Sequence, residues 1–225
     1  MQRKTWLEFR HYKKYFNFLN IKNFHIPIII IATVLTVVSN FGSNFEIIRH
    51  LSFLDFQRSG SYLEFLSFNQ TYIVQNDWWR LLTPIFIHFS FSHLAFNALW
   101  IYILGSKIEM LDGRVLFLCL TIFTGVISNY IEYLWSGVSL FGGLSGVVYG
   151  LLGYCFLIEL DSKKERYDLP PAIYIFMIVW LLLGFLGVLE IFGFGSIANY
   201  AHLGGLISGL IFGMLTKMYS YKRNR

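Results

Sequence analysis

The sequence predicts an all-α membrane protein with six transmembrane helices, and three observations lead to this fold class. Hydrophobic residues make up 56% of the 225 residues and only 14% are charged, whereas a soluble domain carries about a quarter charged residues. The apolar residues come in long runs, as in helices that are surrounded by lipid. Lys and Arg collect between the runs, where they specify how a chain is oriented in the membrane.

Six apolar runs define the predicted spans. The first lacks a small-x-small cleavage site, so we interpret it as a retained span rather than a signal peptide. Pro170-Pro171 marks the start of the fifth span, because proline suits the first turn of a helix. The segment 42–84 is so long that it is expected to be functional or partly structured. The predicted spans are 25–41, 85–105, 115–134, 144–159, 171–189 and 200–217.

The distribution of Lys and Arg predicts that both termini are cytoplasmic. With the N-terminus inside, the four cytoplasmic segments hold 6, 2, 3 and 4 of these residues, and they are 1–24, 106–114, 160–170 and 217–225. The chain thus divides into a basic cytoplasmic segment 1–24, a six-span domain 25–217 and a basic cytoplasmic tail 218–225. The sequence pI of about 9.1 does not indicate a nucleic-acid partner, because the basic residues lie at span ends.

The two cysteines indicate no special chemistry. Cys119 and Cys155 both lie inside apolar runs, where a buried thiol behaves as a small apolar side chain. No CxxC spacing suggests a disulfide framework, a zinc site or a redox centre. We expect neither a metal nor a cofactor.

A serine among glycines opens the fourth span, in the run Phe141-Gly142-Gly143-Leu144-Ser145-Gly146. The glycines permit close backbone approach, and free N–H groups at a helix N-terminus favour developing negative charge. Ser145 is therefore a candidate nucleophile. The motif alone is a weak signal, because a small residue in a tightly packed helix is the commoner explanation.

The sixth span supplies a candidate base. His202 lies three residues before Gly205, and Gly205, Gly209 and Gly213 repeat every four residues, so all four are predicted to share one close-packing face. If this face packs on the small residues of the fourth span, His202 can take the Ser145 proton as a general base. Tyr149, one turn after Ser145, is a candidate to hold the imidazole by packing.

Further polar residues are predicted in the second span, where each requires a reason. This run contains His88, His93 and Asn97, of which His93 and Asn97 are four residues apart and share a helix face. Both could donate hydrogen bonds to an oxyanion next to Ser145. The acids nearest the membrane lie at predicted span ends, so we expect a Ser–His dyad without a third, orienting acid; they are Glu109, Glu132, Glu159 and Glu190.

Two other interpretations remain open for the histidines. A lone histidine in a span is more often a structural hydrogen-bonding residue. The second interpretation is that two of the histidines are axial ligands of a haem, chosen from His88, His93 and His202. These residues are not obviously paired at matched depth on two helices. A Soret band in purified material would favour a haem-binding or transport protein.

Taken together, these residues resemble the rhomboid intramembrane serine proteases, most closely those of the bacterial type. The resemblance covers nearly the whole chain after about residue 25. It rests on the Trp79-Arg80 pair, the run of His88, His93 and Asn97, Glu109 with Gly113, the motif Gly143-Leu144-Ser145-Gly146, and Ala201-His202 before the spaced glycines.

The resemblance implies a six-helix rhomboid bundle with a membrane-embedded first loop over 42–84. It implies an endopeptidase of a bacterial inner membrane that cleaves the transmembrane segments of other membrane proteins near their outer end. Its partners are then these substrates and the bilayer, and not nucleic acid. A non-proteolytic relative that only binds membrane helices is the alternative.

The resemblance also implies roles for individual residues. Ser145 is the nucleophile and His202 the base, while His93, Asn97 and the Ser145 N–H form the oxyanion hole. Supporting roles, such as stacking on the base or fixing helices and loops, fall to Tyr149, Gly143, Gly146, His88, Trp79, Arg80 and Glu109. The fifth span corresponds to a lateral gate and 190–199 to a mobile cap over the site.

Overall fold

The computed structural model describes residues 23–60, 62–160, 166–191 and 197–223. This part of the chain is mainly helical, with one antiparallel hairpin near its beginning. The α-helices are α1 His25–Val38, α2 Phe45–Leu51, α3 Phe91–Asp112, α4 Arg114–Ser136, α5 Ser145–Glu159, α6 Pro171–Phe185, α7 Val188–Ile191 and α8 Asn199–Arg223. The strands are β1 Phe56–Ser59 and β2 Tyr62–Phe65, with Phe56 opposite Phe65.

Six of these helices are apolar, and each overlaps one predicted span. By length and composition α3, α4 and α8 can cross a membrane, whereas α1, α5 and α6 are shorter apolar helices of 14, 15 and 15 residues. A perpendicular span needs roughly 20 residues. The apolar helices make the protein an integral membrane protein, and three of them are too short to span the hydrocarbon unaided.

The predicted start of the second span is wrong. Residues 83–86 form a short 3₁₀ helix and 87–90 have no regular structure, so α3 begins only at Phe91. The Ser90 hydroxyl accepts a hydrogen bond from the His93 N–H at 3.1 Å and so caps the helix there. His88 therefore precedes α3 and does not lie on it.

Several other predicted bounds shift. The first span ends at Val38 instead of 41, and the second ends at Asp112 instead of 105. Helix α6, predicted as a fifth span through residue 189, ends at Phe185, and Gly187, with φ +71°, separates it from the short α7. Helix α8 continues through Arg223, so the described part of the predicted tail extends the last helix. Segment 1–24 lies outside the described residues except for its last two positions, and 192–196 of the predicted cap also lies outside them.

Helix α5 lies at the centre of the bundle, against α3, α4 and α8. Every residue from Gly146 to Cys155 is buried. A Cβ added to Gly205 would collide with the Gly146 carbonyl oxygen, and one added to Gly209 with the Gly150 carbonyl oxygen. The glycine face predicted on the sixth span thus brings the backbones of α5 and α8 into direct contact.

The first loop has its own polar centre around Arg80. This buried guanidinium donates to Asp77 at 2.8 Å, lies 3.4 Å from Asp55 and also donates to the Arg49 and Ser52 carbonyls. Burial would raise the pKa of Asp55, but the Arg49 hydrogen bond and the Arg80 charge outweigh it, so the pKa lies below its usual value of 3.8. Ion pairs therefore hold together a loop that is built of short helices and a two-stranded hairpin.

Aromatic rings attach this loop to the helices. Phe53 packs on Tyr133 of α4, with ring centroids 5.1 Å apart, and on Phe141, at 5.8 Å. Tyr72 is fully buried and donates to the Phe53 carbonyl at 2.7 Å. The loop is thereby fixed beside the segment 137–144 that leads into α5.

Candidate active site

Ser145 and His202 are in hydrogen-bond contact. The distance from His202 Nε2 to Ser145 Oγ is 2.8 Å. Ser145 is the first residue of α5, and His202 lies in the first turn of α8. The glycine contacts between these helices explain why two residues 57 positions apart meet, because no side chain separates the backbones. A serine with an imidazole nitrogen at this distance can be activated as a nucleophile.

Tyr149 fixes the plane of the His202 ring. The two rings are stacked, with centroids 4.8 Å apart and an interplanar angle of 26°. The Tyr149 hydroxyl donates to the Met177 carbonyl of α6 at 2.8 Å, which anchors the far end of the ring. Position, plane and hydrogen bond of the imidazole are thus all constrained.

The chain enters α5 through an irregular turn that depends on Gly143. Its φ of +123° lies in a region that side chains rarely adopt, and an added Cβ would come within 2.7 Å of the His93 ring. The Gly143 N–H donates to the Pro84 carbonyl at 3.0 Å. Gly143 therefore lets the backbone pass close to α3 just before the serine. Directly after the serine, Gly146 lets the backbone pass close to α4, because an added Cβ would collide with Ser128.

His93 and Asn97 face this turn from α3. Asn97 Nδ2 would lie 3.6 Å from a Cβ at Gly143. Asn97 is 1% exposed, yet neither its Nδ2 nor its Oδ1 has a hydrogen-bond partner in the described part of the chain. A buried amide without a partner is costly in a folded protein. Its donor is available to a ligand atom beside Gly143.

His88 contacts the same turn from outside α3. It is fully buried, and its Nε2 accepts a hydrogen bond from the Leu144 N–H at 3.4 Å. Its Nδ1 lies 3.3 Å from the Phe86 carbonyl and 3.5 Å from Thr36 Oγ1. Because Nε2 accepts, the ring proton belongs on Nδ1, where it can be donated to that carbonyl.

The other predicted supporting residues lie elsewhere. Trp79 is 51% exposed and its indole donates to the His50 carbonyl at 3.3 Å, while Arg80 belongs to the first loop. Glu109 accepts a hydrogen bond from the His25 N–H at 2.7 Å and so binds the start of α1 to α3. These three residues stabilise the arrangement of loop and helices and do not touch the Ser145–His202 pair.

Sequence reasoning missed the contact of Glu132. Its carboxylate, 4% exposed, accepts a hydrogen bond from the Ala201 N–H at 2.8 Å, directly before His202. In the sequence, Glu132 is an acid at a span end, and nothing local connects it with the sixth span. The pairing of α4 with α8 is needed to see this contact.

These features define the class: an integral membrane protein of packed apolar helices with a part-buried serine–histidine pair where two of the helices meet. Residues 75–219 match the family model described as the Rhomboid domain. That match covers more than half of the chain, which therefore belongs to the rhomboid family.

Curated relatives agree with this assignment. The chain is 41% identical over 133 residues to proteins named Rhomboid protease GlpG from Yersinia pestis (strain Pestoides F) and Yersinia pseudotuberculosis serotype O:3 (strain YPIII). It is 39% identical over 133 residues to the protein of that name from Serratia proteamaculans (strain 568). Each alignment covers 59% of this chain and 46% of the relative, so the chain spans about half the length of the curated relatives it matches.

Proposed function

We propose that the chain is an intramembrane serine endopeptidase that cleaves transmembrane segments of other membrane proteins near their outer end. The single observation that carries the proposal is the 2.8 Å hydrogen bond between His202 Nε2 and Ser145 Oγ, with Ser145 at the first position of α5. Relatives named Rhomboid protease support the same activity.

The proposed reaction follows the logic of a serine protease with two catalytic side chains. Ser145 Oγ attacks the carbonyl carbon of the scissile peptide bond while His202 Nε2 takes the hydroxyl proton. When the tetrahedral intermediate collapses, His202 donates this proton to the leaving amine and an ester on Ser145 remains. A water molecule, deprotonated by His202, then attacks the ester, and the proton returns to Ser145 as the acid product leaves.

The negative oxygen of the intermediate needs donors. In the proposal these are the Ser145 N–H, which is free at the start of a helix, the Asn97 amide and the His93 ring. The unpaired, buried amide of Asn97 supports this role. Removing one such donor typically costs about 10²–10³ in kcat, so Asn97→Ala should weaken cleavage by less than loss of Ser145.

Water must also reach the serine. The irregular residues before α5 line one side of it, and irregular backbone at membrane depth is tolerated where it borders a water-filled cavity. The substrate helix must unwind to present a peptide bond, so we expect a preference for cleavage sites with helix-destabilising residues. Equal cleavage of a rigid and a destabilised version of one substrate span would contradict this preference.

The proposed orientation is six spans with both termini in the cytoplasm, supported by the Lys and Arg of the segments between spans. The site then opens to the outer side. Digestion of sealed spheroplasts should leave a C-terminal epitope tag intact, whereas inside-out vesicles should lose it; the reverse pattern would reject this topology.

The activity is tested with a fluorophosphonate probe and a purified single-span substrate. Wild type should label and cleave, Ser145→Ala should do neither, and His202→Ala should lose cleavage while remaining folded. Ser43→Ala, which removes an exposed serine of the first loop, is the matched control and should label normally. Labelling that persists in Ser145→Ala would reject the nucleophile.

The alternative, a protein that only binds membrane helices, gives a different result in the same experiment. Wild type and Ser145→Ala would then capture the substrate equally, and neither would label or release a product.

A further inference from the structure

The buried carboxylate of Glu132 lies where helix chemistry alone would not place it. Glu132 occupies the last turn of α4, where the negative end of the helix dipole disfavours an acid. Burial adds a desolvation cost unless the carboxylate is hydrogen-bonded. An acid that local preferences oppose requires a compensating partner.

That partner is the beginning of α8. Glu132 Oε2 accepts the Ala201 N–H at 2.8 Å, and Oε1 accepts the Ser136 hydroxyl at 2.6 Å. Ala201 is the third residue of α8, so its N–H is one of those left without a partner inside the helix. The N-terminus of a helix is also its positive end, which stabilises the carboxylate.

The same turn of α8 is held from a second side. A Cβ at Gly146 would lie 3.3 Å from the Ala201 carbonyl oxygen, so the Ala201 backbone lies between Glu132 of α4 and Gly146 of α5. His202 follows directly, and its own N–H bonds to the Ala198 carbonyl at 3.2 Å. The first turn of a helix frays easily. This one is fixed where it carries the imidazole.

We propose that Glu132 is a positioning residue that sets the place of His202 through the Ala201 N–H. It does not touch the imidazole, and among the described residues no carboxylate hydrogen-bonds to that ring. The orienting acid of a serine protease triad acts on the ring, whereas here the acid acts on the backbone that carries it. This inference rests on the proposed protease function.

The test compares three replacements of Glu132 with the wild type. Glu132→Gln keeps an oxygen that can accept the Ala201 N–H, Glu132→Asp keeps the charge but withdraws the oxygen by about one bond length, and Glu132→Ala removes both. Ser136→Ala removes the other partner of the carboxylate, and Glu64→Ala removes an exposed acid of β2. Rates are measured below the lowest melting temperature and expressed per folded molecule.

We expect kcat to fall about tenfold to a hundredfold in Glu132→Ala and Glu132→Asp, with KM within about twofold, because a shift of about 1 Å at a reacting group has this effect. The rate constant of fluorophosphonate labelling should fall by the same factor. Glu132→Gln, Ser136→Ala and Glu64→Ala should stay within about threefold of wild type. Loss of stability alone would not separate Gln from Asp in this way.

Three outcomes would overturn the inference, and one of them would also reject the proposed protease function. Full activity of both Glu132→Asp and Glu132→Ala excludes positioning by this hydrogen bond. A Glu132→Gln variant as slow as Glu132→Ala excludes it as well, because charge rather than an accepted bond would then matter. A wild type that neither labels nor cleaves rejects the protease function itself. If Glu132→Ala does not fold, the Gln and Asp variants still decide the question.

Discussion

Two regions of this protein position backbone by opposite means. Where α5 meets α8, glycines remove side chains so that backbones touch, and Ser145 and His202 are set by direct contact. In the first loop, a buried charge positions the backbone, since Arg80 binds two carboxylates and two carbonyls. Long helices need only space to approach each other, whereas a loop of short elements must supply partners for the backbone groups that those elements leave unpaired. The two regions should therefore fail differently.

The largest effect on stability is expected where a buried carboxylate would lose one of its cations. Arg80→Met leaves Asp55 buried without its second cation, and breaking a buried pair typically costs 3–5 kcal/mol, so we expect about 4 kcal/mol of unfolding free energy to be lost. Thermal melting in detergent measures it. The matched control is Arg58→Met, since Arg58 is exposed beside the Phe45 ring. Equal melting temperatures of the Arg80→Met and Arg58→Met variants would show that buried charge does not stabilise the loop.

The next effect tests the glycine contact. Gly209→Ala would force a methyl group into the Gly150 carbonyl, and overpacking of this kind costs about 3 kcal/mol. In Gly213→Ala the nearest atom is Leu157 Cδ2 at 3.1 Å, the end of a side chain that can move. Melting temperatures should rank wild type, Gly213→Ala and then Gly209→Ala. The opposite order for the two variants would exclude backbone contact as the cause.

A third variant lies between the two regions. Gly143→Ala would strain a φ of +123° and press on the His93 ring, so the turn before Ser145 must move. We expect cleavage to fall by about a hundredfold, or roughly 2.7 kcal/mol of activation free energy. Gly137→Ala is the control, because Gly137 has a positive φ of +76° but open space around it. If both variants lose activity equally, backbone strain rather than contact with His93 is responsible.

The smallest effect is a loss of melting temperature at acidic pH. Because the folded-state pKa of Asp55 is lowered, its contribution to stability is fully present above the unfolded value of about 3.9 and is lost as the pH falls through the lower folded value. Wild type should therefore lose melting temperature below about pH 4, and Asp55→Asn should lose less over the same interval. Glu64→Gln, at an exposed acid, should follow wild type. An identical acid response in Asp55→Asn would contradict the prediction.

The regular region was the more predictable one from sequence. The helical period placed Tyr149 and Gly205 on the faces that meet, because a helix converts spacing into direction. The period does not reveal the start of α3, because residues 85–89 are as apolar as the helix itself and His88 therefore falls within the predicted span. Hydropathy alone does not distinguish an irregular buried segment from a helix.

Two other contacts between distant segments, one in the first loop and one between helices, were not predictable from sequence. Asp55 and Arg80 lie 25 positions apart in a loop without a period, and nothing local pairs them. Glu132 and Ala201 lie on regular helices, yet their contact depends on how α4 ends beside α8. The geometry of both contacts comes from tertiary packing, which no single stretch of sequence contains.

The shortness of α5 has a consequence for membranes of different thickness. Its far end, Glu159, accepts hydrogen bonds from the Tyr167 N–H and the Tyr174 hydroxyl, which marks a polar boundary. Fifteen residues at about 1.5 Å each reach about 22 Å. If α5 stands upright in a hydrocarbon layer of about 30 Å with Glu159 at one surface, Ser145 would lie roughly 8 Å below the opposite surface. A thicker bilayer would bury the serine deeper and a thinner one would bring it toward water. Under the proposed protease function, lipid chain length would then select which bond of a spanning helix reaches Ser145.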